Sequence, residues 1–303
     1  MKIGISVASA YRVDDPRDGA RFMIERTRAA RLAGFDSLFV GDHHATPQPY
    51  YQNVPMLARM LAEWGDATAG ALFLLPLWNP VLVAEQVATL ACIHGGSFVL
   101  QCGIGADATQ FAAMGAKLSH RASAFEEAIG ALRALWRGES VTLQGRYTNR
   151  DARISPCPPV PIDIWIGASA PVAIERAARL GDAWLGDPGM TLDVAAERIA
   201  LYREACIKHS RAPTTIPIRR DVYVGATRAA AERDMAGVLA RGYRGFDPDA
   251  LVIGDISSVT DTFAHLGELG YDHVLVRNMT PDQDQALATI ERLGQVRELL
   301  ATH

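Results

Sequence analysis

The sequence predicts an α/β protein built as a single (β/α)8, or TIM, barrel, with insertion segments after the fourth strand and before the fifth. Three observations carry that prediction. Short apolar segments rich in β-branched residues recur along the chain, and each precedes a stretch with helical spacing. The early segments are continuously hydrophobic rather than alternating, as strands covered on both faces are. The 303 residues slightly exceed the roughly 250 typical of such a barrel. A doubly wound open sheet gives the same alternation, so periodicity alone leaves closure open.

The elements follow in order. Residues 3–8 read as the first strand, and Asp15-Pro16 then opens a helix with a capping side chain and a proline at the first helical position. Gly34 falls just after that helix, where a left-handed residue is wanted, and residues 37–41 form the second strand. The third, 68–75, stops at Pro76; Asn79-Pro80 starts a helix whose Val83, Val87 and Leu90 share a face. Residues 98–104 make the fourth strand. After Ser119, Phe125, Ile129, Leu132 and Trp136 form a second helical stripe. Residues 162–167, a helix with Ile174, Ala177 and Ala178, and residues 183–186 continue the alternation, with Gly181 read like Gly34. Residues 216–224 and 273–277 complete eight strands.

Two connections are too long for plain strand-to-helix loops. Residues 106–118 follow the fourth strand, and residues 141–161 hold a hairpin-like Val-Thr-Leu-Gln-Gly-Arg-Tyr run and a cluster of prolines. A third irregular stretch, 241–248, has the glycines and aromatics of an edge insertion or a lid. No repeat or low-complexity tract marks a domain boundary, so one domain is expected over 1–303.

Composition narrows the function classes. Forty-nine percent apolar and 21% charged residues suit a globular protein, and a net charge of −4 without basic clusters argues against nucleic acid. Four scattered cysteines point to a reducing, cytoplasmic setting rather than a disulfide framework. Neither a signal peptide nor a membrane span is expected.

The most informative residues are Asp42-His43-His44, directly after the second strand, because barrel chemistry sits at the C-terminal ends of strands. Histidine titrates near neutrality and can move a proton or stabilise a developing anion; His43 is the catalytic candidate and His44 a substrate-contact candidate. Either imidazole could equally be a buried, hydrogen-bonded filler. Neighbouring histidines on extended chain point to opposite sides, so no metal site is expected. Gly103, at the end of the fourth strand, lacks the glycine pattern of a dinucleotide turn and reads as a place of close approach. The small-residue run Gly167-Ala168-Ser169-Ala170 enters a helix, where free amides could hold an anion or Ser169 could simply cap. Arg277, ending the last strand, could bind a substrate anion or belong to a surface ion pair. No nucleophile elbow, zinc-protease helix or P-loop is present.

Several segments together resemble the bacterial luciferase-like flavin monooxygenases and their deazaflavin-dependent relatives: residues 1–6, 36–44, the Gly70–Pro80 run with Ala84-Glu85-Gln86, Gly95-Gly96-Ser97-Phe98, Leu132–Trp136, Gly145-Arg146-Tyr147 and 177–184. They occur in order over most of the chain. The resemblance implies a barrel, often a homodimer, with FMN or an 8-hydroxy-5-deazaflavin coenzyme at its C-terminal mouth. By matched position it implies His43 beside the flavin ring, where the Asp42 carboxylate could orient an imidazole or bind the cofactor through a ring nitrogen. It also implies a third-strand bulge with a cis peptide at Ala71-Leu72, and cofactor phosphate at 167–170. NAD(P)H as indirect reductant, a separate flavin reductase and a small-molecule substrate are implied as well. Ile104 stands where luciferase carries a phosphate-binding arginine, and Ala106 where sugar-phosphate dehydrogenases of the family carry a catalytic glutamate. Gln101 replaces a usual glycine. The leading expectation is monooxygenation with reduced FMN and O2. Deazaflavin hydride transfer, non-catalytic flavin binding and a metal-dependent hydrolase on Asp42 and His43 are the competitors.

Overall fold

The computed structural model describes residues 1–302. The chain begins with β1 (Lys2–Val7), α1 (Pro16–Leu32), β2 (Ser37–Val40), α2 (Asn53–Trp64), β3 (Thr68–Leu74), α3 (Pro80–His94) and β4 (Phe98–Gly103). The insertion after β4 holds α4 (Ala108–Ala113) ahead of α5 (Arg121–Trp136), and the next forms a hairpin of β5 (Val141–Gln144) and β6 (Thr148–Ala152). The alternation resumes with β7 (Ile162–Ala168), α6 (Pro171–Leu180), β8 (Ala183–Gly186), α7 (Leu192–Lys208), β9 (Pro217–Val224) and α8 (Arg228–Ala240). It ends with β10 (Val252–Gly254), α9 (Ile256–Leu269), β11 (His273–Asn278) and α10 (Gln283–Ala301).

Eight of these strands close a parallel barrel in the order β9-β11-β1-β2-β3-β4-β7-β8, with Gly186 of β8 paired to Ile218 of β9. Closure removes the open sheet as an alternative. The one strand without a sequence signal is β10, a three-residue strand beside β9 outside the ring, too short to show a period.

Local chemistry explains the element ends. The Asn79 side chain accepts the Val81 amide with Pro80 at the first helical position, and Asp15 does the same for Arg17 ahead of Pro16's helix. Gly34 adopts φ +76°, the left-handed conformation predicted. Gly181 does not: its backbone is extended, at φ −86°. Glycine fits there because a Cβ would lie 3.0 Å from two carbonyl oxygens, those of Ala177 and Ala183.

Inside the ring, Phe39, Val99, Trp165, Ala183, Leu185 and Leu275 fill the lower layers as one buried cluster, and the Phe39 and Trp165 rings lie 5.3 Å apart. Below them, toward the N-terminal ends of the strands, His273 is buried against Trp165 and hydrogen-bonded to Ser37. This packing plugs the axis, so the C-terminal mouth does not communicate with the opposite end of the barrel. No helix among the described residues is long and apolar enough to cross a membrane.

Candidate active site

Two contiguous cavities open at that mouth. One, of about 260 Å³, is lined by the ends of β1 and β2, by His43 and Tyr50, and by Arg219, Arg244 and Arg277. The other, of about 190 Å³, is lined by Gln101, Gly103, Gly167, Ala168, Ser169 and Asp187 among others. Leu72 and Arg219 border both, so the post-β2 histidine, the third strand and the serine-bearing turn meet at one rim.

His43 is half-buried, its ring 5.6 Å from that of Tyr50. The Gln110 amide nitrogen lies 2.6 Å from its Nδ1. The same nitrogen lies 3.4 Å from Nε2, so it sits over the ring rather than along one lone pair and restrains the imidazole without assigning its proton to either nitrogen. Gln110 itself is buried on α4, so the insertion after β4 supplies the group that fixes the imidazole.

Asp42 is a brace. One carboxylate oxygen accepts both the Leu74 amide and the Trp78 indole N–H at 2.8 Å, and the other lies 3.0 Å from His44 Nε2. The carboxylate thereby ties the end of β2 to the end of β3 and holds Leu72 in place. His44 is buried against Trp78 and does not line either cavity, because its side chain points opposite to that of His43. Its expected contact with substrate is therefore corrected to a packing position.

The third strand also departs from expectation. The cis peptide recorded among the described residues is Ser155-Pro156; Ala71-Leu72 is trans, and Ala71 and Leu72 pair in unbroken register with Leu100 and Gln101. Regular pairing satisfies that backbone without the roughly 3–4 kcal/mol of a non-prolyl cis bond. Ala71 is buried in the shell between barrel and helices, while Leu72 faces the mouth.

At the serine turn, the cap of α6 is Ala170, exposed and without a side-chain hydrogen bond, so the Ser169 cap is corrected. Ser169 instead donates to Asp187 at 3.1 Å. Because Pro171 has no N–H and Ala173 donates to the Ala170 carbonyl, the Val172 amide is the free donor of the first turn of α6, beside the Asp187 carboxylate.

Of the other charged wall, sequence reading found Arg277 and missed Arg219, Asp221 and Arg244. Asp221 is fully buried and accepts Arg244 at 2.6 Å, with Arg219 Nε 3.9 Å from its second oxygen. Burial pulls Arg219 down to about 10, still protonated at neutral pH. Burial foremost, with the Asp221 charge adding to it, pushes the nearby Tyr243 hydroxyl up to about 12. Arg277 stands at the same cavity, half-buried. The signal available was the tandem Arg219-Arg220-Asp221 inside an otherwise apolar strand. No group of three or more metal-ligating side chains is assembled among the described residues.

Residues 1–253 match the family model described as luciferase-like monooxygenase. An F420-dependent glucose-6-phosphate dehydrogenase of Beutenbergia cavernae is 32% identical over 202 residues, covering 62% of this chain and 59% of that protein's length. The match thus leaves some two-fifths of the relative uncovered. Among solved structures, the monooxygenase RslO1 from Streptomyces bottropensis superposes with TM-score 0.85 at 19% identity, over 97% of this chain and 98% of that one. An F420-dependent secondary alcohol dehydrogenase, in complex with an F420-acetone adduct, gives TM-score 0.80 at 20% identity over 99% and 98%. At such identities the two structures attest the fold.

Proposed function

The chain belongs to the luciferase-like monooxygenase family, and from that premise we propose that it is a flavin-dependent oxidoreductase working at the mouth of its barrel. The observation that carries the reading is the pair of joined cavities over Leu72, with catalytic-type and donor side chains on facing walls.

The residues fit a flat tricyclic ring. Leu72 offers an apolar floor. A Cβ at Gly103 would meet only Leu74 at 3.6 Å, and at Gly167 only the Cys102 carbonyl at 3.7 Å, so these glycines keep open the space a ring needs. Gln101 Nε2 is a buried donor without a partner, suited to the carbonyl edge of an isoalloxazine. At the start of α6, Pro171 has no N–H and Ala173 donates to the Ala170 carbonyl, so the Val172 amide and the Ser169 hydroxyl, released from Asp187, would meet the cofactor phosphate.

A bound reduced flavin supplies the electrons, to O2 for oxygen insertion in the case of FMN, or as a hydride in the case of a deazaflavin. The chain's own contribution is positional. His43 presents its imidazole to the reacting substrate as proton donor or acceptor, Gln110 holds the ring, and Asp42 braces the floor. The family match supports FMN with O2 and a small organic substrate, with NAD(P)H as indirect reductant through a separate reductase, and Ala106 disfavours sugar-phosphate dehydrogenation without bearing on the choice of coenzyme. The name of the F420-dependent relative favours the second reading, hydride transfer with the deazaflavin.

The test uses purified protein loaded with reduced FMN and exposed to 18O2 with candidate substrates. Label in the product is the expected result. Substrate-dependent change of the deazaflavin spectrum without O2 would select the second reading, and binding of neither coenzyme would refute both.

A further inference from the structure

We propose that the cavity beside His43 is an oxyanion subsite, so that the substrate of the flavin reaction carries a carboxylate or a phosphate gripped by Arg277, Arg219 and Arg244; the inference rests on the flavin reading of the same mouth. Three guanidiniums converge there from β9, from β11 and from the loop before β10. Asp221 pairs with Arg244 and lies farther from Arg219, and Asp42 also lines the cavity, so three guanidiniums face two carboxylates and a smaller excess of positive charge remains. Arg219 Nε is buried with no hydrogen-bond partner, and Arg277 makes no ion pair among the described residues. Buried cationic donors are costly unless paired, and a planar fork facing an open cavity is geometry made for an oxyanion.

The charge balance also separates this wall from the cofactor side. Asp187 stands by Ser169 across the second cavity, so the arginine wall is the more favourable place for a second anion. Size points the same way: about 260 Å³ admits a small molecule and not a dinucleotide. Arg244 is carried on a loop between two glycines in the left-handed conformation, Gly242 at φ +74° and Gly245 at φ +70°. Its guanidinium stacks on Phe246 at 4.7 Å while reaching Asp221. The loop therefore brings the third cation to the anion from above, and the rest of the substrate is directed across the cavity toward His43.

Calorimetric titration with inorganic phosphate and with malonate tests the subsite, using wild type, Arg277→Gln and Arg244→Gln; FMN and deazaflavin affinities are measured separately by absorbance. The expected result is saturable binding of at least one anion to the wild type, at least tenfold weaker in each variant, with coenzyme affinity unchanged. Failure of both anions to bind the wild type overturns the subsite while leaving the flavin reading intact. An equal loss of FMN and anion affinity in both variants overturns it too, because the cluster would then hold the coenzyme's own phosphate. Arginine-dependent anion binding without any coenzyme binding upholds the subsite and removes the flavin reading instead.

Discussion

The Gln110 side-chain nitrogen sits against the His43 imidazole, 2.6 Å from Nδ1 and 3.4 Å from Nε2, joining the insertion after β4 to the loop after β2. The contact holds the ring at the cavity wall, which gives a structural purpose to a long connection.

Replacing Gln110 by Leu keeps the volume and removes the donor. The expected outcome is a fall in kcat of about tenfold with little change in KM, equivalent to about 1.4 kcal/mol in the barrier. NMR of the His43 ring should show one restrained imidazole in the wild type and a broadened, mobile one in the variant. Unchanged ring signals would reduce Gln110 to packing.

His43→Ala should bind flavin like the wild type and lose about 10²–10⁴ of turnover, the range of general acid–base contributions. Retention of full turnover would take His43 out of the mechanism.

Asp42→Ala leaves the Leu74 amide and the Trp78 indole N–H buried without an acceptor. Chemical denaturation should show a loss of about 2–4 kcal/mol, well above a typical exposed substitution. A loss under about 1 kcal/mol would mean that water replaces the brace.

His273 should make the fold acid-sensitive. Burial drives its imidazole down to about 4 in the folded chain, against about 6.5 when unfolded. Between those values the unfolded chain binds a proton that the folded chain does not, so stability rises with pH through the window and is flat above it. The span is on the order of 3 kcal/mol. His273→Gln should remove that slope, as read from urea unfolding between pH 4 and 7; an undiminished slope would assign it to other groups.

Much of the barrel is legible because its signals are local. The strand starts at Ser37, Thr68, Phe98, Ala183 and His273 are visible as apolar onsets after turn or capping residues, and Pro76 and Pro80 mark where β3 gives way to α3. What sequence misses depends on distance. Gln110 is 67 residues from His43, and Arg244 is 23 from Asp221. Nothing in either neighbourhood announces the partner. The trans bond at Ala71-Leu72 and the extended Gly181 are decided by neighbouring backbone, which a linear reading cannot weigh. His44 shows the converse: alternation on extended chain already implied that the two histidines diverge.

The central claim is that a flavin ring occupies the space over Leu72 that Gly103 and Gly167 keep open. Absorbance titration of wild type and Gly103→Leu with FMN and with the deazaflavin tests it most directly, with thermal unfolding confirming that the variant is folded. The wild type should bind one of the two coenzymes one to one, and the variant should bind it at least a hundredfold more weakly, about 2.7 kcal/mol. Equal binding by both proteins would contradict the claim.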